Sequence, residues 1–447
     1  MRKHPIFFAN ETHHGQERLQ VLDKFSGSPF AETSLASAEM LREAGARAQA
    51  AVPAMSRLPT HRRRSVLEFC AARLEARRSE FVEVLRAEAG KVLRDAEGEV
   101  SRAIDTFRFA AAELLRPLGE VLPLDASPRS EDYIGMWKRV PIGPCLFISP
   151  FNFPLNLVAH KVAPALAAGC PFVLKPASMT PLSALLLGEI LAECDLPAGA
   201  FSILPSSRKE AEILTGDPHY RLLSFTGSAK VGWALKERAG KKKVILELGG
   251  NAAVIVHADA DLDDAAERIV AGIFAQSGQS CISVQRVYIH ASIYESFRAA
   301  LRQRVANLRS GDPSDAETVV GPMISEAEAE RLEGWLREAC EGGAKILCGG
   351  SRQGALFAPT LVEDAPQGSA LAQEEAFGPI ALLFPYSSFE EAIGLVNGSA
   401  YGLQAGVFTR DWTQVLEAWD QLEVGGVLVN DVPTFRVDHM PYGGVKD

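Results

Sequence analysis

In the run "SGQSCIS", Cys281 stands among Ser277, Gly278, Gln279, Ser280 and Ser283. A structural cysteine usually sits among Leu, Val and Ile and behaves as a small hydrophobe, so this one reads as a sulfur held up on a loop. Taken alone, an inert loop cysteine is the plainer reading, because a nucleophile needs partners. The chain offers several. Glu247, in "VILELGGN", follows an apolar run and precedes two glycines; a carboxylate there is often a helix cap, but apolar flanks also raise its pKa toward that of a general base. Asn152, in "SPFNFPLN", sits in a rigid turn as either a turn residue or a presented amide. Lys175 and Ser178, in "LKPAS", stand where a nucleotide-binding fold reads an adenosine ribose. "SFTGSAKVG" puts Gly227 and Ser228 at a helix start, where backbone N–H groups can meet a phosphate. That glycine spacing is neither a dinucleotide fingerprint nor a P-loop, so a merely capped helix is the alternative. Together, a thiol, a carboxylate, an amide and a mononucleotide site at successive strand ends describe covalent catalysis with a hydride acceptor.

Such groups act only if the chain folds them toward one place. From about Ser37 to Leu118 the apolar residues recur at three- and four-residue spacing, predicting an all-helical opening interrupted at Pro53 and Pro59. The texture then changes to short apolar runs alternating with helical ones. "CLFISP", "PFVLK", "FSIL", "RLLSFTG" and "KVILELGG" are predicted strands. The helices between them are predicted over 155–168, 181–194, 208–215 and 229–239. A second series starts at "AAVIV" and runs through helices over 261–275, 293–308 and 389–396, with "VYIH", "AKIL", "IALLF", "GVFT" and "GGVLVN" as strands. This predicts two α/β lobes built on parallel sheets, with Cys281 near the start of the second. Open parallel sheets bind ligands beyond their strands' carboxyl ends, where the first-lobe candidates fall. The stretch 120–140 belongs to neither series and is expected to pack against another subunit.

The composition is that of an ordinary globular chain: 447 residues, 47% hydrophobic, 23% charged, net charge -10. With no global basic field, nucleic acid and anionic membrane are not expected partners. No run has the length of a signal-peptide core or a membrane span, so a cytoplasmic protein is expected. Seven scattered cysteines with no C-x-x-C argue against a disulfide framework and a zinc site, and no metal is expected.

The motifs "SPFNFPLN", "LKPASMTP", "FTGSAKVG", "ELGGN", "GQSCIS", "EEAFGPI" and "NDVPTFRVDHMPYGGVK" occur in the order found in the aldehyde dehydrogenase superfamily. The chain resembles that family from about Gly27 to its end. The resemblance implies two Rossmann-type lobes, a cofactor-binding one over 1–119 and 141–249 and a catalytic one over 250–447, with 120–140 as an oligomerisation ribbon. It implies NAD or NADP as cofactor and a homodimer or homotetramer. Cys281 would attack the aldehyde, Asn152 and the Cys281 N–H would hold the oxyanion, and Glu247 would activate water. Lys175 and Ser178 would bind the adenosine ribose, Ser228 the pyrophosphate, and Glu375 the nicotinamide ribose, with Phe377 at the nicotinamide end. Ser149, Pro150 and Phe151, then Phe225, Thr226 and Gly227, then Leu248 and Gly249 would complete the cofactor wall. Glu247 also favours release of a free acid, since members that pass the acyl group to coenzyme A tend to lack that carboxylate.

Departures from the family pattern bear on specificity. Ser178 stands where NAD-preferring members usually carry Glu, which removes a charge that would repel a 2′-phosphate and suggests that NADP is accepted. Arg102 and Arg436 occupy positions where phosphate-aldehyde members keep anion-binding arginines, with Arg286 and Arg108 as further candidates. His160 falls on the helix lining the substrate tunnel, and Ser280 and Ile282 flank the thiol. The expected substrate is a small polar or anionic aldehyde, with Asp438 as a possible neutraliser of Arg436. The resemblance implies a final pairing strand beyond "PYGGVKD", absent from these 447 residues. A thioester hydrolase and a non-catalytic protein on the same fold are the alternatives from other classes.

Overall fold

A computed structural model describes residues 2–207 and 209–447. The helical opening is present as Ala38–Arg57, Thr60–Ala76, Arg78–Ala89 and Leu93–Glu113. Pro59 separates two of these helices, but Pro53 lies inside the first. It sits on the exposed face, where water satisfies the carbonyl that a proline leaves unpaired.

The first sheet has seven strands in the order Lys243–Glu247, Leu222–Thr226, Cys145–Ile148, Phe172–Lys175, Phe201–Ile203, Ile6–Phe8 and Glu11–His13. The first five are mutually parallel, and the N-terminal hairpin adds two antiparallel strands. The predicted helix over 208–215 is seen as Ala211–Gly216, and its first residue, Arg208, lies outside the described residues. The second sheet also has seven strands, ordered Lys345–Cys348, Thr360–Glu363, Ile380–Tyr386, Val284–His290, Ala252–Val256, Gln404–Phe408 and Gly426–Val429. Only Lys345–Cys348, at one edge, runs antiparallel. The central strands of both sheets are buried on both faces, which is why they read as continuous apolar runs rather than alternating ones.

The stretch set apart in the sequence forms a two-stranded ribbon, Gly119–Leu122 against Gly135–Lys138, with Val121, Ile134 and Met136 largely exposed. Two helices, Glu326–Glu341 and Trp412–Gln421, and the strand Thr360–Glu363 were not foreseen. The first helix carried a legible signal, the S-x-x-E box Ser325 to Glu328, in which the Ser325 hydroxyl accepts the Glu328 N–H.

A buried ion pair in the helical opening reaches both lobes. Lys91 and Glu99 meet at 2.7 Å with both side chains fully buried. Glu99 Oε1 also accepts the N–H groups of Leu155 and Asn156, at 2.9 and 3.0 Å, and so caps the helix Asn156–Ala168 from outside its own segment. Lys91 reaches the Gln276 side chain in the second lobe, and Asp95 accepts the Gln276 N–H at 2.7 Å. Replacing Glu99 by Ala leaves Lys91 as an uncompensated buried charge and uncaps a helix. Denaturant unfolding should show a loss of about 3–5 kcal/mol, with a smaller loss for Glu99→Gln. An unchanged midpoint for Glu99→Ala would show that the pair holds nothing together.

Candidate active site

The thiol loop is built from backbone conformations that few residues tolerate. Gln276, Ser277 and Gly278 all have positive φ, near 54°, 53° and 70°. Two of these are not glycine, so the turn is held from outside. Gln276 is fastened by Lys91 and Asp95, the Ser277 hydroxyl bridges the Gly321 N–H and carbonyl, and Gln279 Oε1 accepts the Ile324 N–H at 2.8 Å. At Gly278 a Cβ would lie 2.0 Å from the Gly378 carbonyl oxygen. Gly250 has the corresponding task beneath the thiol, where a Cβ would lie 1.8 Å from the Cys281 carbonyl oxygen. The paired glycines of "ELGGN" thus let one strand end pass directly under the cysteine.

Around Cys281 the structure gathers Asn152, Glu247, Glu375 and Tyr442. Asn152 is buried and its amide donates to the Gln279 carbonyl at 3.0 Å. Burial pushes the Cys281 thiol up to about 12, and the Glu375 and Glu247 carboxylates push the same way, opposed by a hydrogen bond with Tyr442. Burial raises Glu247 above the ordinary carboxylate value, with Lys161 and Arg436 pulling it back. Glu375 is pushed up to about 7 by burial, against the Gly250 N–H that it accepts at 2.9 Å. Lys161 is pulled down to about 8 by burial; its ammonium donates to the Ser224 and Thr226 hydroxyls, both at 2.9 Å, and the Glu247 charge acts on it. A buried acid raised and a buried lysine lowered, coupled to each other and to one thiol, mark a site of proton chemistry.

The neighbouring strand ends form a nucleotide-sized wall. The hydroxyls of Ser149 and Ser206 are buried without hydrogen-bond partners among the described residues. Ser228 precedes the helix Ala229–Arg238 without capping it through its side chain. Phe225 fills the space beside Gly227 and Gly232, where a Cβ would come within 2.6 and 3.3 Å of its ring, and Leu248 packs against Gly232. Phe151 and Phe377 meet edge to face at 5.6 Å, with Phe377 held at positive φ. These orphaned hydroxyls and this uncapped helix end suit a dinucleotide.

Residues 11–447 match the family model described as the aldehyde dehydrogenase family. The chain belongs to that family. It is 42% identical over all 447 residues to 3-sulfolactaldehyde dehydrogenase of Priestia aryabhattai, covering 93% of that protein. It is 48% identical to aldehyde dehydrogenase 21 from Physcomitrella patens, solved with the reaction product succinate, at a TM-score of 0.98 over 100% of this chain and 93% of that one. A glyceraldehyde-3-phosphate dehydrogenase from Methanocaldococcus jannaschii, solved with NADP, aligns at a TM-score of 0.92 and 35% identity over 97% and 94% of the two chains. The protein is an NAD(P)-dependent aldehyde dehydrogenase.

Several expected site residues of this aldehyde dehydrogenase already have partners within the protein. The Gly227 N–H is spent on the Glu247 carbonyl at 3.0 Å, because the two strands stay paired to that point, so it is not free for a phosphate. Lys175 is buried and donates to the Pro176 carbonyl at 3.3 Å. Ser178 donates to the Ser206 carbonyl at 3.1 Å, so its proton is already engaged. Asp438 does not pair with Arg436; it takes Arg102 at 2.9 Å and His160 at 2.7 Å. Burial raises that carboxylate, but His160 and Arg102 outweigh it and hold Asp438 well below its usual range. Burial lowers His160, so the neutral ring donates its Nε2–H. Arg286 is excluded as a ligand group: it is buried and donates to the Asn251, Leu395 and Val396 carbonyls. Arg108 faces solvent beside Asp105. Ser280 and Ile282 are buried beside the thiol, the Ser280 hydroxyl accepting the Ile282 N–H at 3.4 Å.

Lys161 and Tyr442 were missed. Lys161 lies nine residues after Asn152, on the helix that follows that turn, but a lone lysine between His160 and Val162 gives no sign of its burial. Tyr442 belongs to the motif "NDVPTFRVDHMPYGGVK", in which only Arg436 and Asp438 were singled out. Gly250→Ala should displace the Cys281 carbonyl and lower kcat by about 100-fold, the cost of misplacing a reacting group by about an ångström. Parent turnover in this variant would show that the glycine does not set the thiol's position.

Proposed function

We propose that this aldehyde dehydrogenase oxidises a small aldehyde bearing an anionic tail to its carboxylic acid, with Cys281 as nucleophile and NADP preferred over NAD. The observation that carries the substrate reading is Arg436. One of its guanidinium nitrogens is buried without a hydrogen-bond partner among the described residues, and the cation sits 4.0 Å over the ring of Tyr442, whose hydroxyl touches Cys281. A buried donor left unsatisfied beside a nucleophile invites an acceptor on the substrate. Arg102 is already neutralised by Asp438, so it shapes the pocket rather than binding the tail. The names of the relatives, one a 3-sulfolactaldehyde dehydrogenase and one solved with succinate, support a sulfonate or carboxylate tail.

In this reading the Cys281 sulfur attacks the aldehyde carbon to form a thiohemiacetal. The Asn152 amide and the Cys281 N–H hold the oxyanion, turning from the Gln279 carbonyl that Asn152 contacts in the resting site. NADP or NAD, when bound, would supply the hydride acceptor for the oxidation of the thiohemiacetal to the thioester. Glu247 then draws a proton from water as its oxygen attacks the thioester, which releases the acid and returns the thiol. Lys175, Ser178 and Ser206 would hold the adenosine half of the cofactor, Ser228 its pyrophosphate, and Glu375 and Phe377 the nicotinamide half. The uncharged Ser178 leaves room for a 2′-phosphate beside Lys175, which supports NADP. The domain reading, 1–119 with 141–249, then 250–447, follows the two sheets, and the exposed apolar side chains of the 120–140 ribbon support a homodimer or homotetramer.

Rates with succinic semialdehyde, 3-sulfolactaldehyde, lactaldehyde and propanal, each with NADP and NAD, test the substrate. We expect Arg436→Ala to lower kcat/KM for the anionic aldehydes by about 100-fold and for propanal by far less, and kcat/KM to be higher with NADP. Equal losses on all four aldehydes would remove Arg436 from recognition. Glu247→Gln should still release about one equivalent of NADPH per site in a burst, then turn over about 100- to 10,000-fold more slowly. Because burial raises the Glu247 pKa, the acid limb of the parent kcat profile should lie above the ordinary carboxylate value, and the variant should lack it.

A further inference from the structure

The nucleophile has a neighbour that the reaction scheme above leaves unused. The Tyr442 hydroxyl lies 3.3 Å from the Cys281 sulfur. While the thiol keeps its proton, either atom can donate; once the thiolate forms, only the phenol can. We propose that Tyr442 is a further catalytic residue, whose hydroxyl donates a hydrogen bond to the Cys281 thiolate and stabilises the attacking form of the nucleophile. The proposal rests on the reading of Cys281 as the nucleophile.

Three observations support it. First, this hydrogen bond opposes burial and two carboxylates, all of which favour the protonated thiol, so the thiolate has much to gain from a donor. Second, Tyr442 remains a donor: burial and the nearby Cys281 and Glu247 keep its phenol well above its ordinary pKa. Third, the ring is held in place. The Arg436 guanidinium covers its face at 4.0 Å, a cation that also draws density from the ring and strengthens the hydroxyl as a donor. The segment that follows is tied down on both sides, the Val445 N–H to the Gly402 carbonyl at 3.1 Å and the Lys446 ammonium to the Asn397 carbonyl at 2.7 Å and to Glu423 at 2.7 Å. At Gly425 a Cβ would lie 1.7 Å from the Gly443 carbonyl oxygen, so the chain after the tyrosine lies flat on the second lobe.

The test is the alkylation of Cys281 by iodoacetamide in cofactor-free enzyme, followed by mass spectrometry of the Cys281 peptide from pH 6 to 10. The thiolate attacks the methylene carbon and iodide leaves, so the rate reports the thiolate population without any turnover. Tyr442→Phe keeps the ring beneath Arg436 and removes only the hydroxyl. It should lower the alkylation rate about tenfold across this range, as expected for losing one hydrogen bond to a charged group, and lower kcat/KM by a similar factor with the parent melting temperature. An alkylation profile that superimposes on the parent's overturns the proposal, whatever happens to turnover. A lowered alkylation rate with unchanged kcat/KM overturns its catalytic part. Dehydrogenase activity surviving in Cys281→Ala would instead overturn the reading of the nucleophile itself.

Discussion

Placing a lysine and a glutamate together in a protein interior gains stability only when each finds every partner it needs, because the desolvation of two ions rivals their attraction. Lys91 and Glu99 meet that condition by engaging both lobes. Glu99 supplies the acceptor for the first turn of the helix that carries His160 and Lys161, just beyond the turn that holds Asn152. Lys91, with Asp95, fixes Gln276 in a left-handed conformation five residues before Cys281. The amide and the thiol belong to different sheets, and this shared network sets where each stands relative to the other.

The site it assembles is largely withdrawn from solvent, and that desolvation governs its charges. Burial raises Cys281, Glu247 and Glu375 and lowers Lys161 and His160, moving acids and bases toward one another. A thiol held up to about 12 is mostly protonated at neutral pH, which protects it from oxidation and from unproductive adducts until a base and a substrate are present. The same desolvation makes any fixed donor near the sulfur worth more than it would be in water.

The charged groups near the thiol come from three segments distant in sequence. Arg102 comes from the helical opening, His160 from the helix after the Asn152 turn, and Arg436 and Asp438 from the C-terminal segment. Asp438 binds the first two and leaves Arg436 with a free buried donor. The four residues thus divide into a group paired through Asp438 and one arginine that keeps an unpaired buried donor.

The alternation of apolar runs and helical spacing determined the α/β class, because strands buried on both faces must be continuously apolar and covering helices must be amphipathic. The loop position of Cys281 and the apolar flanks of Glu247 were legible for the same reason: solvation preferences are local. The four-residue strand Thr360–Glu363 was too short to impose a clear period, and the helix Trp412–Gln421 carries exposed Trp412, Leu416 and Trp419, which blur its apolar face. Pro53 looked like a break because the sequence does not say which helix face meets water. The partners lay beyond sequence altogether. Which acid pairs with which arginine, whether the Gly227 N–H is free, and that Tyr442 touches the sulfur depend on contacts between residues tens to hundreds of positions apart. Only the packing of the two sheets against the helical opening decides those contacts, since side-chain type fixes what a group can bind and three-dimensional distance fixes what it does bind.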